Sequence, residues 1–313
     1  RDPEMSRGLG DVYKRQMLVK AGVTSALDMS GPGTSVLELA REYGTGLNLA
    51  TIEYVRPGHT VSSDDPSSAE LQQLITKVQR QGSLGIKLLG GHYPLTVAAT
   101  ARAIRAAAEL GAYTAFHAGT AAHGSNIEGM LEAVELADGN PLHLAHINAY
   151  CRGTVLPEAE ETELALKALA ANPNISCESY LSPLNGTSAE IIDGLPGSMV
   201  TRRCLKTGGF TEDEAGMEAA LLSGWAQVNY PQGQEMTLLT GEAARDYWRG
   251  QQTLVSVSFA VNPVGPRVRL ATATKADGSF AVDAISTDGG GIPRNVLLPA
   301  GLALVDLGGL SLQ

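Results

Sequence analysis

The segment Gly85-Ile86-Lys87-Leu88-Leu89-Gly90-Gly91 sets a lysine inside a short apolar run that closes on two glycines. A run of this length bounded by turn residues predicts a buried strand. A lysine within it is costly to bury unless neutralised or paired. The layout recurs along the chain. AYTAFHAGT (112–120) puts His117 at a strand end, PLHLAHINAY (141–150) puts His146 there, and FAVDAISTDGGG (280–291) delivers Asp288 just before a glycine run.

Helix-like segments separate these strands. Asp64, Asp65 and Pro66 open one with apolar positions Leu71, Leu74, Ile75 and Val78, a 3–4 spacing. Thr96 starts an alanine-rich one, and Thr34 is placed to cap another after the turn Gly31-Pro32-Gly33. GVTSALDMS (22–30), GLNLATIEYV (46–55) and NISCESYLS (174–182) supply further strands, so strands begin near 22, 46, 84, 112, 142, 174 and 282, seven in all. Continuous apolar strands alternating with helices imply an α/β chain with a parallel sheet covered on both faces. The expected architecture is a (β/α)8 TIM-type barrel lacking its first strand. A doubly wound open sheet fits less well, because no GxGxxG follows the first available strand. Between the seventh and eighth barrel strands, residues 194–276 read as an inserted subdomain over the barrel mouth, since a structureless loop of that length is improbable.

Composition narrows the class without naming the chemistry. The 313 residues are 43% hydrophobic and 18% charged, and 23 basic against 33 acidic side chains give a net charge of −10. Such a chain is globular, and its acidity argues against nucleic acid or an anionic membrane as a main partner. The cysteines Cys151, Cys177 and Cys204 form no CxxC pair, which fits a reducing, cytoplasmic setting, and nothing near them points to a lowered thiol pKa. Residues 1–16, RDPEMSRGLGDVYKRQ, show no helical or strand period, and DVYKRQ resembles the translation of a sequencing adapter. They are expected to be a cloning or sequencing scar, leaving 17–313 as the folded part. The C-terminal LLPAGLALVDLGGLSLQ stops directly after a helix-like pattern, so the chain is expected to be a fragment of a longer protein.

At the C-terminal ends of barrel strands, side chains converge on the active-site mouth. Lys87, His117, His146 and Asp288 all fall at such ends, and neutral imidazole with carboxylate suits Zn²⁺. His143, three residues before His146, is expected to face the other way and to be structural. His92 and Tyr93 after Lys87, and Tyr150 and Arg152 after His146, lie in loops that would face a substrate. Arg152 is suited to bidentate pairing with a substrate carboxylate. Ser179, Tyr180 and Ser182 are further candidates.

The set GVTSALDMS, GIKLLGGH, FHAGT, AHINAY and STDGGG resembles the metal-dependent amidohydrolase superfamily, in a branch near D-aminoacylase and N-acyl-D-glutamate deacylase. It is similar to isoaspartyl dipeptidase as well, whose fourth strand also carries a lysine. The resemblance implies that Lys87 is carboxylated and bridges two divalent metals, that His117 and His146 hold the second metal, and that Asp288 contacts the first and serves as base and proton shuttle. It implies hydrolysis of a linear amide C–N bond, with deacylation of an N-acyl-(D-)amino acid such as N-acyl-D-glutamate in front. Isoaspartyl dipeptidase, or a cyclic-amide hydrolase of the dihydroorotase and hydantoinase kind, is the alternative. A non-catalytic amidohydrolase-like binding subunit is the other. The family's HxH motif occurs nowhere in these residues, and its flanking β-sandwich is missing too, so the fragment itself is expected to be inactive. The expected partner is a small N-acyl amino acid or dipeptide, with homo-oligomerisation left open.

Overall fold

Strand and helix alternate as the sequence pattern dictates in the computed structural model, which describes residues 18–29, 31–232, 235–286 and 297–311. The first half runs β1 (Ser25–Asp28), α1 (Gly33–Tyr43), β2 (Asn48–Thr51), β3 (Glu53–Tyr54), α2 (Ser68–Arg80), β4 (Gly85–Leu89), α3 (Val97–Glu109), β5 (Tyr113–His117), α4 (Ile127–Ala137) and β6 (Leu142–Leu144). A 3₁₀ turn (Ile147–Tyr150), α5 (Glu158–Ala171) and β7 (Ile175–Tyr180) follow. Side-chain caps fix several helix starts. Ser67 accepts from the Glu70 amide and Thr96 from the Ala99 amide. Thr34 instead lies inside α1, where Pro32 occupies the cap position and makes no side-chain cap.

All the strands of the main sheet are parallel. β1 pairs with β2, β3 with β4, then β4 with β5, β5 with β6, β6 with β7, and β7 with β14 (Ala284–Ser286). Only Ile52 separates β2 from β3, and the Ile52 amide donates to Asp28 O at 3.1 Å while the Val55 amide donates to Lys87 O at 3.0 Å. One extended segment thus bridges β1 to β4, giving an unbroken row of parallel strands. Among the described residues no pairing joins β14 back to β1, so the pairings give an open row rather than a closed (β/α)8 barrel.

The two faces of this row differ chemically, because successive strand residues point to opposite sides. Ile86, Leu88, Phe116, Leu142, Leu144, Ile175 and Cys177 face helices α2 to α5 and share one core with Leu71, Ile75, Ala103, Ile104 and Leu169. Each large apolar side chain buried here is worth about 1.5–3 kcal/mol. The opposite face carries Lys87, Tyr113, His117, His143, Glu178 and Tyr180, and these line a cavity of about 650 Å³. The expectation of helical cover on both faces is therefore corrected. The face away from the helices encloses a cavity, because its strand positions are polar.

After β7 the chain builds an antiparallel unit. It comprises β8 (Asn185–Ser188), the short hairpin β9 (Ile191–Ile192) and β10 (Leu195–Pro196), α6 (Met199–Thr207), α7 (Glu214–Ser223), β11 (Ala226–Gln232), β12 (Glu235–Leu239), α8 (Gly241–Gly250) and β13 (Ser256–Phe259). The sheet order is β12-β11-β13-β8. Its core is separate from the first and gathers Leu205, Met217, Leu221, Val228, Trp248, Val257 and Phe259. Pairing of β8 with β13 places the start of this unit before Gly194. Its end comes before Ala276, since α9 (Val264–Thr272) already sends Leu270 into the first core. The described chain closes with α10 (Leu297–Asp306), whose Leu304 packs on Leu181 and Ala271.

Candidate functional site

At the C-terminal ends of β4 to β7 the chain turns sharply, and backbone approach there leaves no room for side chains. A Cβ on Gly90 would lie 1.9 Å from Gly119 O, and one on Gly91 would lie 2.9 Å from His117 Nε2. These contacts explain the two glycines that close GIKLLGG. They hold the ends of β4 and β5 together, bringing Lys87 and His117 to the same end of the cavity.

His117 and His146 meet directly. His117 Nδ1 lies 2.6 Å from His146 Nε2, and the ring centroids are 4.7 Å apart. The outer nitrogens have partners of their own. His117 Nε2 is 2.7 Å from Ser125 Oγ, and His146 Nδ1 is 3.3 Å from Glu178 Oε1. The Glu178 carboxylate makes His146 Nδ1 the protonated nitrogen and leaves Nε2 as a lone pair aimed at His117. In this arrangement His117 Nδ1–H donates to it and His117 Nε2 accepts from Ser125. Rotation of the Ser125 hydroxyl would let Nε2 carry the proton instead, so that both inner nitrogens offer lone pairs to one point. That is a donor set suited to a divalent cation. Lys87, 2% exposed, points into the same cavity with Nζ 3.5 Å from Met29 Sδ. Among the described residues no group of three or more His, Cys, Asp or Glu is arranged to hold a metal. The donors that fit are the two histidines, with Lys87 beside them.

Burial, and then the charges of His146, Lys87, His92 and Arg152, push His117 well below the ordinary imidazole value. For Glu178, burial raises the carboxyl, but hydrogen bonds from the His146 ring, the Ser286 hydroxyl and the His146 amide outweigh it and bring it to about 2. The His146 amide donates to Glu178 Oε1 at 2.5 Å. His146 itself adopts left-handed backbone angles, φ 44° and ψ 60°, a conformation that costs a non-glycine residue roughly 1–2 kcal/mol. Glu178 grips both its amide and its ring, which offsets that cost.

Sequence parity misplaces His143. It was expected opposite His146, yet it faces the cavity, with its ring 5.7 Å from Tyr113 and Nδ1 3.1 Å from Ser176 Oγ. The strand ends at Leu144 and the left-handed turn at His146 breaks the alternation, so both imidazoles reach the same side. Burial holds His143 down to about 4, with Lys87 and His146 lowering it further and the carboxylates of Glu178 and Asp283 pulling it up. A folded-state value below the ordinary 6.5 means that stability is complete above pH 6.5 and falls as pH drops towards 4. The slope is one proton, roughly 1.4 kcal/mol per pH unit. Urea unfolding at pH 5 and pH 7 should show a larger loss at pH 5 in the parent than in His143→Asn; equal losses would refute the assignment.

The remaining expected site residues divide. His92 and Arg152 line the cavity. Arg152 Nε donates to Asn262 Oδ1 at 2.8 Å and one Nη to the Tyr180 hydroxyl at 3.3 Å. Tyr150 does not line the cavity. It is fully buried, and its hydroxyl accepts from the Ala118 amide and donates to Ala145 O, each at 2.8 Å, tying the exits of β5 and β6 together. Tyr93 is not on the cavity wall either, and the Arg56 guanidinium stacks on its ring at 4.7 Å. Ser179 and Ser182 are buried, Ser179 bonding Asn148 and Ser182 accepting from the Leu184 amide. Asp288 lies outside the described residues. Missed from the sequence were Glu178, Ser125 and Arg203, all on the cavity wall. The alternation Ser176-Glu178-Tyr180 within NISCESYLS was a usable signal for Glu178, because it marks one polar face of a strand. No local signal distinguished Ser125 or Arg203. The cysteines are buried and free, and burial pushes Cys151 and Cys177 up to about 12.

No family model matches the sequence, and no curated protein matches it. Solved structures do. A D-aminoacylase that defines a subset of amidohydrolases aligns with TM-score 0.61 at 13% identity, covering 96% of this chain and 68% of that one. A D-aminoacylase studied for its binuclear metal centre gives 0.59 at 13% identity with the same coverage. N-acyl-D-glutamate deacylase from Bordetella bronchiseptica, complexed with zinc and a phosphonate mimic of the tetrahedral intermediate, gives 0.59 at 11%, again over 96% and 68%. The fold is thus the one seen in D-aminoacylase and other amidohydrolases. Among the described residues no helix is long and apolar enough to cross a membrane.

Proposed function

We propose that the chain is a metal-dependent amidohydrolase built on a (β/α)8-type barrel and that it acts on the amide C–N bond of a small N-acyl amino acid, an N-acyl-D-amino acid in front. The observation that supports this reading best is the approach of His117 Nδ1 to His146 Nε2 at 2.6 Å beside Lys87, at the end of a polar cavity. A divalent cation such as Zn²⁺ bound by His117, His146 and a carboxylated Lys87 would polarise the scissile carbonyl and acidify a water. Asp288 is proposed as the base that carries the proton to the leaving amine.

The residues around this point have separable tasks. Glu178 fixes the His146 ring and tautomer, and Ser125 holds the His117 ring through a hydroxyl that suits either tautomer. Arg152, held by Asn262 and the Tyr180 hydroxyl, is positioned to take a substrate carboxylate. α6 of the antiparallel unit contributes Val200, Arg203, Cys204 and Thr207 to the wall.

Zinc-loaded protein that includes the HxH segment these residues lack, assayed against N-acetyl-D-glutamate, N-acetyl-L-glutamate, β-aspartyl dipeptides and dihydroorotate, should release amine fastest from the first. Preference for either of the last two would move the reading to a dipeptidase or a cyclic-amide hydrolase. Zinc binding with no hydrolysis of any amide would favour a binding subunit. Arg152→Ala is expected to raise KM for the N-acyl amino acid about 10- to 100-fold with kcat little changed, the signature of lost uniform binding. An unchanged KM would remove Arg152 from the substrate site.

A further inference from the structure

The antiparallel unit joins the parallel row through two chain passages, residues 181–184 before β8 and residues 260–263 after β13. Asn262 fastens one passage to the other. Its backbone amide donates to Pro183 O at 3.1 Å, and its side-chain Nδ2 donates to Pro183 O at 3.2 Å and to Leu184 O at 3.0 Å. Arg267 reinforces the clip from α9, with Nε donating to Asn262 O at 3.2 Å and a terminal nitrogen donating to Leu181 O. Asn262 is 4% exposed, so these bonds form away from water, where they are stronger.

The same side chain holds an arginine at its other end. Two carbonyls on one side of the amide demand its nitrogen there, which turns Oδ1 the opposite way. Oδ1 accepts from Arg152 Nε at 2.8 Å and from the Tyr180 hydroxyl at 3.3 Å, and that hydroxyl accepts in turn from Arg152 Nη2 at 3.3 Å. One edge of the guanidinium, Nε with Nη2, is thereby taken by neutral acceptors. Nη1, on the outer edge, has no partner among the described residues. The arginine is oriented without being neutralised, and its outer edge suits a bidentate carboxylate. An aspartate at 262 would hold the arginine but cancel its charge, and it has no donor for the two carbonyls.

The backbone beneath Arg152 is held by other means. Glu161 of α5 is fully buried and accepts from the amides of Gly153 at 2.7 Å, Val155 at 2.8 Å and Leu156 at 3.1 Å. The loop therefore belongs to the parallel row, whereas the head of its arginine is held at the neck of the antiparallel unit. We infer that Asn262 is a positioning residue that couples the seating of the antiparallel unit to the aim of Arg152. The guanidinium is presented to a carboxylate while the neck is clipped and swings free when the unit opens. This rests on the reading of Arg152 as the carboxylate site and adds to it a link between ligand binding and the fold of the unit.

The test does not depend on turnover. Trp248→Ala, which empties a site in the core of the unit, is followed in urea by tryptophan emission and by nitrogen-15 NMR. Trp225 reports the unit, the Arg152 Nε–H reports the head of the arginine, and the Gly153 amide reports the loop backbone. The Arg152 signal should collapse to a solvent-exchanging position together with the Trp225 transition, while the Gly153 amide persists to higher urea. Asn262→Ala should bring the Arg152 signal to that position without urea. N-acetylglycine, a probe with one carboxylate, should bind Trp248→Ala about 10-fold more weakly once the unit is open, the low end for a hydrogen bond to a charged group. The parent, its unit still seated in the same urea, should keep its affinity. Coupling is reciprocal, so saturating probe should move the Trp225 transition to higher urea. An Arg152 signal that outlasts the Trp225 transition, a Gly153 amide that leaves with it, or a probe affinity indifferent to the unit would each overturn the coupling. Arg152→Ala separates the two readings. If it binds the probe like the parent while the Arg152 and Trp225 signals of Trp248→Ala move together, the clip stands and the carboxylate role of Arg152 fails. If it loses the probe while those signals move apart, the carboxylate role stands and the clip fails.

Discussion

Replacing His146 with alanine is expected to weaken zinc binding by at least ~100-fold and to abolish amide hydrolysis. Groups that merely orient a ligand contribute about 10- to 100-fold in metal affinity, and the ligand itself contributes more. His146 is placed to be the ligand itself, with Nε2 2.6 Å from His117 Nδ1 and Nδ1 turned to Glu178. Glu178→Gln keeps the shape but exchanges a carboxylate for a neutral acceptor, so its effect should fall within the 10- to 100-fold range. Equilibrium dialysis against zinc reads both variants, and far-UV circular dichroism checks that each is folded. His59→Ala, which alters a loop histidine away from the cavity wall, should bind zinc like the parent. Parent-like zinc affinity in His146→Ala would remove the metal site.

Trp248→Ala is expected to destabilise the antiparallel unit by about 3–5 kcal/mol, the usual cost of emptying a large aromatic site in a core. Trp248 is fully buried among Leu221, Ala226, Val257 and Phe259, and its Nε1 donates to Ala189 O at 2.9 Å. The chain has two tryptophans, so the variant retains only Trp225, which packs on the same core and donates to Cys204 O at 2.9 Å. Its fluorescence therefore reports on this unit alone. In urea the Trp225 signal should change well before the far-UV signal of the whole chain, because the first core holds the β4–β7 sheet separately. The proposed zinc donors Lys87, His117 and His146 lie on β4, on β5 and in the turn after β6, so zinc binding should survive conditions that open the unit. Coincident transitions at parent stability would show that the two cores do not unfold separately.

Legibility in the sequence followed the range of the interactions. The strands that carry Lys87, His117 and His146 were readable because apolar alternation and closing glycines are local features. Every parallel strand of the described sheet falls where that pattern placed it. Glu178 could have been read by the same parity, since Ser176, Glu178 and Tyr180 share one face. His143 could not, because its orientation relative to His146 depends on a left-handed residue that no local rule anticipates. Tyr150 looked like a substrate contact because it follows His146. It is in fact a buried latch, since its hydroxyl meets an amide and a carbonyl from two different strand exits.

The sequence by itself determined the α/β alternation, the acidic charge, the strand-end polar residues and the presence of an interruption after the β7 strand, all consequences of residue order over a few turns or strands. The tertiary structure alone decided which polar groups meet. It brought Ser125 to His117 and Glu178 to His146, and it put Arg152 and Arg203 on the wall of one cavity. It also gave one face of the sheet to a cavity rather than to a second layer of helices. These are contacts between groups tens of residues apart, set by strand register and by how the two cores stack, and no short-range pattern encodes them.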